Sequence, residues 1–74
     1  MTEPKTISEL MKLVMEECKK GNINNAIIYL NEAIEIEPNK AYLYNYRAES
    51  KRKLGDNEGA DEDDRKAVKL KNIF

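Results

Sequence analysis

The stretch Asn25-Ala26-Ile27-Ile28-Tyr29-Leu30-Asn31-Glu32-Ala33-Ile34-Glu35-Ile36-Glu37-Pro38 decides how this chain is read. Its apolar side chains fall on several faces of a helix, which describes a helix covered on more than one side. A strand is a poor reading, because glutamates recur and no turn signal breaks the run. Pro38 disfavours helical backbone at Glu37 and has no N–H to bond backward, so the helix spans about residues 23–37.

Working outward, Gly21 can take the left-handed conformation that ends a preceding helix, and Asn22 can cap the next. The preceding helix opens at Thr6, whose hydroxyl can accept the Glu9 N–H while the Glu9 carboxylate reaches back, a capping box. Ile7, Leu10, Met11, Leu13, Val14, Met15 and Cys18 then follow at helical spacing, and Lys19 and Lys20 suit its negative end. Downstream, Asn39 can cap a third helix over residues 40–54, with Tyr42, Leu43, Tyr44, Tyr46 and Ala48 early and Lys51, Arg52 and Lys53 late. Gly55-Asp56 repeats the Gly21-Asn22 turn, and Asp56 caps a fourth helix reaching about Lys71.

The two halves repeat. Gly21 returns as Gly55, Ala26 as Ala60, Ala33 as Ala67 and Lys19 as Lys53, each 34 residues later. Leu10 matches Tyr44, Val14 matches Ala48, Ile34 matches Val68 and Ile36 matches Leu70. A fixed period of this length marks stacked helical hairpins. The expected fold is all-α: four antiparallel helices forming two helix-turn-helix units in a short α-solenoid. The divisions are a tail at 1–6 and repeats at 7–40 and 41–74.

This pattern resembles the tetratricopeptide repeat, and the resemblance covers everything after Thr6. Leu10 and Leu13 occupy the family's first apolar positions, and Gly21 its inter-helix turn. Ala26, Leu30, Ala33 and Pro38 fill its small, large, small and proline positions. Alanine is needed where helix axes approach closely: Ala26 lets the second helix cross the first near Val14, and Ala33 lets it meet the third. The second unit departs from the pattern. Arg47 and Asp64 stand where two apolar residues normally meet, Asp61 replaces another apolar residue, and Asn72 replaces the proline. The expectation is that Arg47 pairs with Asp64 or Asp61 across the hairpin, beside a solvated outer side of the last helix.

Composition narrows the function. Charged residues make up 36% of the 74, yet the net charge is −1, so nothing draws the whole chain to nucleic acid or an anionic membrane. The Lys51-Arg52-Lys53 patch reads as a solvated helix end. No apolar run reaches membrane-spanning length, and the N-terminus lacks a signal-peptide core. With no histidine and a single cysteine, Cys18, there is neither an assembled nucleophile nor a disulfide, and a reducing cytoplasm is the expected location. The acidic run Asp56, Glu58, Asp61, Glu62, Asp63 and Asp64 fails as a calcium loop, because Gly59 is fourth rather than sixth. Neither a metal nor another cofactor is implied, and no enzyme is expected.

The resemblance implies a protein–protein interaction module, with the first helix of each repeat lining a concave groove. By position, Met11, Met15, Cys18 and Lys19 project there from the first repeat, with Lys12. Tyr42, Asn45, Tyr46, Glu49, Arg52 and Lys53 do so from the second. Methionine adapts to irregular apolar partners, and tyrosine offers contact area with a polar tip. One family subclass grips the acidic tails of heat-shock chaperones with a lysine and asparagine clamp. Met11, Met15 and Tyr46 stand at those positions here, so chaperone tails are not the expected ligand. A protein or peptide segment in the groove is one reading. A homodimer, or an engineered or excised scaffold with no external ligand, is the other. Two repeats, and the apolar Ile73-Phe74 at the end, favour either an excerpt of a longer array or a second copy that covers them.

Overall fold

The computed structural model describes residues 5–72. Four helices follow in order, α1 (Ile7–Lys20), α2 (Ile23–Ile36), α3 (Ala41–Lys53) and α4 (Asn57–Lys71), with no strand among the described residues. At the head of α1, the Glu9 N–H donates to Thr6 Oγ1 at 3.2 Å and the Thr6 N–H donates to Glu9 Oε1 at 3.3 Å, completing the capping box. Asp56 caps α4 by accepting the Gly59 N–H at 3.0 Å. The other two helix starts differ from expectation. Asn22 sits at the N-cap of α2 without a side-chain bond, and Lys40, not Asn39, occupies the N-cap of α3. Residues 1–4 and 73–74, which carry most of the expected tail and the Ile73-Phe74 end, lie outside the described residues.

The two intra-hairpin turns are built alike. Gly21 and Gly55 take φ of 82° and 85°. Each is followed by a residue whose N–H reaches back five positions at 2.9 Å, Asn22 to the Glu17 carbonyl and Asp56 to the Lys51 carbonyl. This closes the last helical turn on its own carbonyls, and only glycine enters that conformation without a Cβ penalty.

Each helix packs on its neighbours in sequence: α1 on α2, α2 on α3, α3 on α4. Leu10, Val14, Ala26, Leu30, Ala33 and Leu43 form one buried cluster. Tyr44, Ala67 and Leu70 form a second, and Ile34 on α2 packs against both. The alanines at closest approach, Ala26, Ala33, Ala48 and Ala60, are wholly buried. Fully burying Leu10, Leu30 and Leu43 stabilises the fold by about 1.5–3 kcal/mol each. The result is a slab with principal extents of 37 × 29 × 16 Å.

Candidate functional site

Because α1 and α3 both lean on α2, a cleft remains between them. Val14, Met15 and Cys18 line it from α1; Tyr46, Glu49, Ser50 and Lys53 line it from α3. It offers about 120 Å³, room for one large apolar side chain or about four waters. The floor is apolar, and Glu49 and Lys53 give the rim one charge of each sign. Met15 and Tyr46 remain 39% and 37% exposed, so the cleft presents apolar surface to solvent.

Of the eleven residues assigned to the groove from sequence, Met15, Cys18, Tyr46, Glu49 and Lys53 converge on this cleft. Tyr42 stands beside it, its ring edge-on to Tyr46 with centroids 6.4 Å apart. Met11 is partly buried and packs against the first core cluster, Asn45 is half-buried, and Lys12 and Lys19 are exposed on α1. Arg52 is directed elsewhere: it donates to Asp61 at 2.9 Å and Asp64 at 2.6 Å, both on α4.

That pairing corrects the expected partner of Arg47. Its guanidinium meets Asp63, with Nε donating to Oδ2 at 2.9 Å and Nη2 to Oδ1 at 2.7 Å. Nη1 donates to Asn31 Oδ1 on α2 at 3.0 Å, and the group lies 5.5 Å from the Tyr44 ring centroid. Lys51 Nζ adds a second cation 3.1 Å from Asp63, which is 4% exposed. Burial alone would raise the Asp63 pKa, but hydrogen bonds and charge from Arg47 and Lys51 outweigh it and hold the carboxyl below the usual aspartate range. The same hydrogen bond to Asp63 raises the Arg47 pKa against the effect of its own burial. In the sequence Asp63 stands within an acidic run whose other members are solvated or held by Arg52. Its spacing from Ala60, Ala67 and Leu70 puts it on the buried stripe of α4, a signal present in the sequence.

These charges are therefore committed to structure. Among the described residues no three His, Cys, Asp or Glu side chains gather to hold a metal, and no helix is long and apolar enough to cross a membrane.

Comparison with known proteins agrees with the hairpin geometry. The family pattern described as "Tetratricopeptide repeat" matches residues 19–40, from the end of α1 through α2. "Tetratricopeptide repeat protein 36" of Danio rerio is 34% identical over 73 residues, which is 95% of this chain and 39% of that protein. The chain belongs to the tetratricopeptide repeat family. A second tetratricopeptide repeat relative, the "Tetratricopeptide repeat protein 36 homolog" of Nematostella vectensis, is 39% identical over 56 residues, 76% of this chain and 31% of the relative. The chain thus spans less than two fifths of the length of either. Tetratricopeptide repeats are protein–protein interaction modules, and the α1/α3 cleft lies between the first helices of the two hairpins.

Proposed function

We propose that this chain is a non-catalytic binding module that holds a segment of a partner protein in the α1/α3 cleft. Residues 7–40 and 41–74 act as its two repeats. The observation that carries the reading is convergence: Met15 and Cys18 from one helix and Tyr46, Glu49 and Lys53 from another line one apolar-floored cleft. A partner side chain of leucine or methionine size fills the floor. The opposite charges of Glu49 and Lys53 then orient the partner's backbone and polar flanks.

A peptide-display selection on the immobilised protein tests this. Selected peptides should compete with one another and lose at least about 30-fold in affinity on Met15→Glu, as an anchor position does. Ile28→Glu, on an exposed position of α2 outside the cleft, should change little. Peptides that bind Met15→Glu and Tyr46→Glu proteins as well as the parent would place recognition elsewhere.

A further inference from the structure

We propose that two copies of this chain associate through their α2/α4 faces, about a two-fold axis parallel to the helices. An acidic stripe on α2 of each copy then lies against a basic stripe on α4 of the other. Close backbone contacts run from α1 to α2, α2 to α3 and α3 to α4, with none between α1 and α3 or between α2 and α4. Ala26, Leu30 and Ala33 turn one arc of α2 to the core that both α1 and α3 enter. So α1 and α3 form one layer, which carries the cleft, and α2 and α4 form the other. The face formed by α2 and α4 is therefore separate from the cleft.

The helix α4 begins 34 residues after α2 and buries Ala60 and Ala67 where α2 buries Ala26 and Ala33. Positions one repeat apart thus lie at the same height and on the same side of the two helices. On α2, Ile28, Asn31, Glu32 and Glu35 are spaced to form one stripe, and all four are exposed. The matching positions on α4 are Glu62, Arg65, Lys66 and Lys69, also exposed, which together line one shallow depression. Charge is inverted between the repeats: Glu32 returns as Lys66, and Glu35 as Lys69. None of these four joins an ion pair among the described residues.

A half-turn about an axis between the two stripes exchanges them without changing their height. Glu32 and Glu35 of one copy then meet Lys66 and Lys69 of the other, and symmetry repeats each contact. Where α4 is acidic, at Glu58 and Glu62, the facing α2 positions are Asn24 and Ile28, so no like charges meet. Laying α2 on α2 instead would set its carboxylates against a helix with neither lysine nor arginine. Charge thereby selects one pairing of faces over the other. Exposed ion pairs are individually weak and screened by salt, so this dimer is a weak and salt-sensitive one.

Charge exchange tests the proposal by sedimentation equilibrium. At low salt the parent chain should dimerise at roughly hundreds of micromolar and dissociate as salt is added. Glu32→Lys with Glu35→Lys, or Lys66→Glu with Lys69→Glu, gives both stripes one sign and should weaken dimerisation at least about tenfold. All four substitutions in one chain restore complementarity at the parent's net charge and should return association to within about threefold of the parent. In a mixture of isotopically light and heavy parent chains, a zero-length carbodiimide should join Glu35 of one copy to Lys69 of another. Helix content and thermal melts establish that the variants are folded; if one is not, Glu35→Gln and Lys69→Gln should each weaken the dimer in the same direction. A parent chain that stays monomeric, a dimer indifferent to the two-residue variants, a four-residue variant as weak as they are, or a dimer without the 35-to-69 cross-link would overturn the proposal. So would a monomeric parent that binds poly-glutamate through Lys66 and Lys69, which would assign the α4 stripe to an acidic partner.

Discussion

Arg47 on α3 holds Asp63 on α4 through two parallel hydrogen bonds, at 2.9 and 2.7 Å, on the buried stripe of α4 that also carries Ala60, Ala67 and Leu70. A guanidinium fork against a carboxylate fixes direction as well as distance, so the pair sets the rotation of α4 against α3. Asn31 and the Tyr44 ring complete the surroundings of the same guanidinium, which ties the second hairpin to α2.

Removing one member should cost more than removing both. Asp63→Leu leaves Arg47 and Lys51 without their shared partner and should lower stability by about 2–4 kcal/mol in urea denaturation. Arg47→Met combined with Asp63→Leu should restore most of that loss, since packed apolar groups of similar volume replace a partly buried ion pair with little net change. A double variant as unstable as the single one would show that the charges, not the packing, hold the crossing.

Acid should weaken the fold through the same residue. The folded pKa of Asp63 is depressed, so in the window between that value and the ordinary value of about 4 the unfolded chain binds more protons. The contribution is complete above about pH 5 and is lost as pH falls through the folded value. Denaturation curves collected from about pH 6 to about pH 2 should show a steeper loss for the parent chain than for Asp63→Asn.

The glycine turns allow a cleaner test of backbone conformation. A Cβ at Gly21 or Gly55 would meet nothing within 4 Å, so substitution there acts through the positive φ alone. Gly21→Ala and Gly55→Ala should each cost about 1 kcal/mol, and Gly21→Asn less, because asparagine tolerates the left-handed region. A small domain should register each alanine as a fall of about 4–8 °C in Tm.

Tyr44 links the two hairpins by a bond that can be deleted without disturbing shape. Its Oη donates to the Pro38 carbonyl at 2.8 Å, across the α2–α3 connection. Tyr44→Phe should therefore destabilise by about 1 kcal/mol, read as a lower urea midpoint at unchanged slope. A changed slope would instead indicate that the hairpins separate before global unfolding.

Much of this architecture was open to inspection in the sequence. The capping box at Thr6 and Glu9, the glycine turns and the buried alanines depend on chemistry within one or two helical turns, and each appears where its pattern pointed. The starts of α2 and α3 were less legible, because an asparagine near a helix start signals capping capacity and not the rotamer that uses it. Five of the eleven residues assigned to the groove line one cleft; Arg52 does not, since carboxylates on a neighbouring helix hold it.

Hydrophobic phase and turn chemistry are short-range properties, and they sufficed to specify four helices in two hairpins. Which aspartate would meet Arg47 was a different kind of question. Asp61, Asp63 and Asp64 differ by a rotation about the α4 axis, and that rotation follows from how Ala60, Ala67 and Leu70 seat against the rest of the molecule. Helix-to-helix packing turned Asp63 inward to Arg47 and Lys51 and left Asp61 and Asp64 to Arg52. The spacing from Ala60, Ala67 and Leu70 marks Asp63 as inward, but that Arg47 and Lys51 stand opposite it is set by contacts between residues far apart in the chain.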